Sequence, residues 1–170
     1  MPCQAGKFNP ATGAKTCTDC PVGSYSSDGK ACVLCPAGSY QPHTGATAHT
    51  SCLIAAAGKF VPVQGSGSVE DCVAGTYSPN VGATACQLCA AGQHSSAGSS
   101  KCTSCSGGSM SKVGASECTP CAVGRFSADT ECVLCPAGRY SGAIGASECD
   151  SCDNGDFSGV GATLCGSCEA

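Results

Sequence analysis

One motif recurs along the whole chain: Cys-x-x-Cys, then a glycine three residues later, then an aromatic two residues after that. Its clearest copy is Cys132-Val-Leu-Cys135-Pro-Ala-Gly138-Arg-Tyr140-Ser141, and Cys32-Val-Leu-Cys35-Pro-Ala-Gly38-Ser-Tyr40 nearly repeats it. A fixed period this short means that each copy is a small unit that must bury itself against its neighbours. It excludes a helix bundle or a sheet built round one apolar core.

The large apolar residues needed for such a core are also missing. Among 170 residues there is no Trp, Phe and Tyr make 5%, and 19 cysteines inflate the 42% hydrophobic share. A short chain with cysteine above about 8–10% is held by staples rather than by an oil-drop interior. So many thiols require an oxidising compartment, which places the chain at the cell surface or outside the cell. Met1-Pro2-Cys3 enters a repeat at once, without the charged and apolar regions of a secretory signal. The expectation is a mature or internal piece of a longer secreted protein.

Charged residues are 12% and the net charge is −4. Nucleic acid needs a basic patch or stripe, and a polybasic membrane contact needs the same, so neither is expected. The longest apolar run, Leu53-Ile54-Ala55-Ala56-Ala57, falls far short of the ~20 residues of a spanning helix.

Anchored on the second cysteine of each motif, repeats begin at Cys3, Cys20, Cys35, Ala55, Cys72, Cys89, Cys105, Cys121, Cys135 and Cys152, and Cys168 opens another. They run 14 to 20 residues, so residues 1–170 read as one continuous array of about ten two-cysteine repeats. An opening glycine follows every anchor by three, from Gly6 to Gly155, where a tight turn asks for positive φ or close backbone approach. The next slot holds Phe8, Tyr25, Tyr40, Phe60, Tyr77, His94, Met110, Phe126, Tyr140 and Phe157, which include every Phe and Tyr of the chain. These are expected to fill a stack and cover disulfides, as sulfur–aromatic contacts favour. Five of the ten repeats close on Gly-Ala-x-x-Cys, as in Gly145-Ala146-Ser-Glu-Cys149, and Gly98-Ser-Ser-Lys-Cys102 nearly does; Ser127-Ala-Asp-Thr-Glu-Cys132 does not. Only three to six residues remain between turns, enough for irregular hairpins with very short strands and little or no helix.

A defect points to the pairing of the cysteines. Cys52-Leu-Ile-Ala55 lacks its second cysteine, and Val69-Glu-Asp-Cys72 lacks its first. If the second cysteine of one motif bonds the first of the next, both losses delete one bridge and strand nothing. The bridges are then Cys3–Cys17, Cys20–Cys32, Cys35–Cys52, Cys72–Cys86, Cys89–Cys102, Cys105–Cys118, Cys121–Cys132, Cys135–Cys149 and Cys152–Cys165, with Cys168 left over. Bonding within each motif would close a cramped ring and leave Cys3, Cys52 and Cys72 without partners. The unbridged repeat with Ala55 and Val69 has apolar surroundings (Leu53, Ile54, Phe60, Val61, Val63) and reads as a packed joint or a subunit contact.

Other chemistry finds little footing. Paired zinc motifs stand ~15–20 residues apart, and a thioredoxin-like centre needs a βαβ frame. His43, His49 and His94 share no ligand spacing, and no carboxylate pair, phosphate loop or Ser/His/Asp set is visible. No catalytic residue, metal or cofactor is expected. Asn9, Asn80 and Asn154 fail the N-glycan rule. Pro10, Pro42, Pro62 and Pro79 stiffen turns or, with the many Ser and Thr, carry O-linked glycans.

The series Cys-x-x-Cys-Pro-Ala-Gly-x-Tyr-Ser…Gly-Ala-x-x-Cys resembles the ephrin-receptor-like cysteine-rich repeat, most plainly over Cys17 to Tyr25, Cys32 to Tyr40, Cys132 to Ser141 and Gly145 to Cys152. Such repeats occur in the extracellular region of ephrin receptors and in long surface proteins of algae, ciliates and other protists. The two-cysteine repeats here are much smaller than the six-cysteine receptor module. Long uninterrupted arrays resemble surface-coat and mastigoneme-like proteins more. The resemblance and the composition together point to an extracellular structural protein, a segment of a coat or filament. Its partners would be itself or other extracellular structural proteins. The alternative is the stalk or ligand-binding cysteine-rich region of a receptor or adhesin. The expected fold is an elongated stack of disulfide-stapled hairpins, each touching mainly its neighbours, on the order of 100 Å long at roughly 10 Å per layer.

Overall fold

In the computed structural model, residues 3–9 and 16–167 are described; Pro10 and Cys168 lie outside them. The chain divides into two compact units. The first holds residues 1–73, 77–87 and 97–101, and the second holds 74–76, 88–96 and 102–170.

Every described repeat is a two-stranded hairpin, and nine of them are antiparallel with a common register. The residue after the opening glycine and the slot residue form one strand. The two residues inside the next Cys-x-x-Cys form the other. Thus Lys7 faces Asp19 and Phe8 faces Thr18, Ser24 faces Leu34 and Tyr25 faces Val33, and Tyr140 faces Asp150. Strands this short have too few ladder bonds to stand alone, so each hairpin depends on its bridge and on its neighbours. Among the described residues the helical content is one 3₁₀ turn, His49–Ser51, in the longest repeat.

The hairpin Arg125–Ala128 with Glu131–Leu134 has four-residue strands. Here the closing Gly-Ala is absent, and Asp129 turns the chain at φ 52. An aspartate tolerates that left-handed conformation better than most residues.

Backbone bonds join the hairpins. In the first compact unit the Gly23 amide donates to the Gln41 carbonyl, and the Gly45 amide donates to the Cys20 carbonyl, both at 2.8 Å. The second repeats the scheme, with Gly124 donating to Ser141 and Gly145 to Cys121, both at 2.7 Å. The opening glycine therefore binds the next repeat, and the closing glycine binds the preceding anchor.

Contacts also reach two repeats on, beyond the immediate neighbours. A Cβ at Gly23 would sit 1.9 Å from the Gly65 carbonyl oxygen. At Gly108 it would sit 1.8 Å from that of Gly145. Backbones meet here with no side chain between them, and Gly23 also has φ +77. Only glycine meets both conditions.

That closeness decides where the core lies. It consists of anchor cysteines and small polar residues. Cys20, Cys35, Cys72, Cys89 and Cys135 are fully buried, as are Ser24, Ser26 and Ser78. Val61 is the largest fully buried side chain, and many aliphatics stay outside: Val81, Val113, Ile144 and Val160, each just before a closing glycine, are 62–69% exposed.

Candidate functional site

The recurring features are a bridge, present in every described repeat but the one anchored on Ala55, and a residue after the slot that is most often serine. The bridges are Cys3–Cys17, Cys20–Cys32, Cys35–Cys52, Cys72–Cys86, Cys89–Cys102, Cys105–Cys118, Cys121–Cys132, Cys135–Cys149 and Cys152–Cys165. Their Cα atoms stand 5.5–5.8 Å apart, within the usual range for an unforced bridge. Each closes a loop of 11 to 17 residues, which stabilises the fold by about 3 kcal/mol in the loop-entropy account.

At the missing rung, Ala55 is fully buried in the place of an anchor cysteine, and Val69 is half-buried. Val61 is fully buried beside them in sequence. The hairpin keeps the common register, Lys59 facing Asp71 and Phe60 facing Glu70. Lys59 and Asp71 form an ion pair across it, as Lys7 and Asp19 do at 2.6 Å. Both pairs are solvent-accessible, so each contributes about 0–1 kcal/mol.

The aromatic slot is the margin of the core, not its centre. Phe8, Tyr25, Tyr40, Phe60, Tyr77, His94, Met110, Phe126 and Tyr140 are half-buried, and Phe157 is exposed. Among the described residues the ring contact is between Tyr25 and His49, edge-on at 5.8 Å, and not between two slot residues. Side chains alternate along a strand, and the residue after the slot points inward instead. At that position Ser26, Gln41, Val61, Ser78, Ser95, Ser111 and Ser141 are buried, and Asn9, Ser127 and Ser158 are half-buried.

The sequence signal for this position is that serine follows the slot in seven of the ten repeats. Ser95 shows why serine suits it. Its Oγ donates to the Thr76 carbonyl at 2.9 Å, its carbonyl accepts from Gly75 at 2.8 Å, and its amide donates to Ala115 at 3.4 Å. Ser111 Oγ donates likewise to Gln93, and Ser158 Oγ to Arg139. The small side chain thus joins its hairpin to the one before it, and the backbone amide joins it to the one after. Among the described residues no buried side-chain polar atom is left without a partner.

The remaining residues do not converge. The His43 amide donates to Gln41 Oε1, His49 lies in the 3₁₀ turn and His94 is in a strand. Among the described residues no group of three or more His, Cys, Asp or Glu could hold a metal ion. None of their helices is long and apolar enough to cross a membrane. The apolar hollow of about 480 Å³ near Pro36, His49, Ile54 and Gly82 has one ionisable side chain, His49.

Residues 23–72 match the family model described as tyrosine-protein kinase ephrin type A/B receptor-like. That segment is ephrin-receptor-like. The ephrin-receptor-like segment spans the Cys35–Cys52 bridge and the unbridged repeat, and the same hairpin register continues in tandem beyond it. No curated protein matches the chain. Nine bridges and an ephrin-receptor-like segment favour an extracellular location.

Proposed function

We propose that the array is a structural, non-catalytic element of an extracellular coat or filament, associating with itself or with other extracellular structural proteins. The observation that supports this most is the row of exposed aliphatics before the closing glycines, Val81, Val113, Ile144 and Val160. They recur at one repeat position in a chain with 12% charged residues. A surface meant to stay free in solution carries mixed charge and few recurring apolar side chains. Repeated contact with similar surfaces is the use such a row fits. Covalent clips and backbone-to-backbone packing suit a part that keeps its dimensions. O-linked glycans on Ser, Thr or Pro belong to the same proposal, as does a role for Cys168 as a link to another segment or subunit.

The second reading is a receptor or adhesin stalk, favoured by the family match over 23–72. Electron microscopy of the unreduced protein from its native source separates the two. Long uniform fibres or a regular coat support the first. Isolated particles tethered to membrane refute it and leave the stalk.

A further inference from the structure

The bridges divide the chain into backbone that can carry tension and backbone that cannot. Under end-to-end load, force passing Cys20 crosses directly to Cys32, 5.6 Å away, and the loop between them stays slack. Three peptide steps then lead to Cys35. Every stapled repeat thus offers only about 10 Å of loaded backbone plus one bridge span. Between Cys52 and Cys72 no bridge intervenes, and the path runs through residues 53–71.

We propose that residues 53–71 are a length reserve, the segment of the described array that lengthens under tension while all other repeats stay clipped. What holds it folded is weak and reversible. Ala55 donates to Gly38 at 2.9 Å and Val61 to Ala83 at 2.9 Å. Gly58 and Gly65 donate to Ser78 and Cys35, both at 2.8 Å. Gly38 donates to Val61 at 2.9 Å, Gln41 to Ser66 at 3.1 Å and Gly82 to Ala55 at 2.7 Å, and the buried Ala55 and Val61 and the exposed Lys59–Asp71 pair add to these. A disulfide does not open without a reductant, but these contacts can break and re-form. Positions 55 and 69 stand 14 steps apart, the separation at Cys3–Cys17. At about 3.3–3.6 Å per step, and less the 5.7 Å span of an equivalent bridge, the reserve is about 40–45 Å. It is the same for a filament and for a stalk.

The basic residues provide an independent reading of the same path. The chain has eight Lys and Arg. Lys7, Lys15, Lys30, Lys101, Lys112, Arg125 and Arg139 all lie inside bridged loops. Lys59 does not. Tryptic cuts within a bridged loop leave the pieces joined, and a cut after Lys59 separates them.

The test stretches the whole 170-residue chain between terminal handles, without reductant, beside the Ala55→Cys/Val69→Cys variant. The expected result is one reversible lengthening step in the parent chain. It should leave that chain about 40–45 Å longer at full stretch than a variant whose added bridge is confirmed by mass. A parent chain without such a step, a step that persists in the bridged variant, or several steps of similar size would overturn the proposal. Trypsin on the unreduced parent chain supplies the second readout and needs no variant. Two separable fragments meeting at Lys59 are expected. A chain that stays in one piece, while reduction reveals cuts at other Lys or Arg, would equally overturn it.

Discussion

Gly124 and Gly138 allow the two demands on an opening glycine to be separated. Both have positive φ, +73 and +79. A Cβ at Gly124 would lie 2.2 Å from the Gly161 carbonyl oxygen, and one at Gly138 would meet nothing within 4 Å. Alanine at either position incurs the left-handed backbone cost, about 1–2 kcal/mol. At Gly124 the two repeats must also move apart by about 1 Å, and such overpacking costs about 1–3 kcal/mol more. The bonds nearest the strain are Gly124 to Ser141 at 2.7 Å and Gly161 to Cys135 at 2.8 Å. Amide hydrogen exchange reads local opening directly, and about 1.4 kcal/mol is tenfold. The Gly161 amide should therefore exchange roughly 5- to 150-fold faster in Gly124→Ala than in Gly138→Ala. Equal exchange in the two variants, or a larger effect at Gly138, would refute the claim that backbone approach across two repeats requires this glycine.

Other outcomes follow from the same packing. Ser111→Ala removes the buried Oγ donor to Gln93 and should destabilise the surrounding hairpins by about 1 kcal/mol, measured by exchange of the amides bonded to Ser111. Ala55→Cys/Val69→Cys should form a tenth bridge on air oxidation, seen as a mass loss of two hydrogens. It should stabilise that repeat by up to about 3 kcal/mol, measured by exchange at Gly58 and Val61. Lys59→Met should change stability by no more than about 1 kcal/mol, because the ion pair is exposed. Complete reduction should abolish the near-ultraviolet circular dichroism, since nine bridges at about 3 kcal/mol each outweigh the typical net stability of a domain, about 5–15 kcal/mol.

The period of the cysteines, the opening glycines and the short spaces between turns sufficed to read a stack of stapled hairpins. These are local constraints, and a residue such as Gly6 or Gly23 states its turn where it stands. The paired absences at Ala55 and Val69 belong to the same class, because both ends of one rung are visible in the text of the chain. The slot residues were harder to place. An aromatic once per repeat looks like a core, but in the structure Tyr40 and Tyr140 are only half-buried, and the fully buried neighbours are serines such as Ser26 and Ser78.

The sequence by itself determined the fold class and the place of the unclipped repeat, both of which follow from residue type and spacing. Only the tertiary structure decided what fills the interior and how far each repeat reaches. Those depend on the distance between layers, and no residue states that distance alone. Gly23 meets the Gly65 carbonyl two repeats on, an approach so close that a serine hydroxyl fits inside while Ile144 and Val160 are left in the solvent.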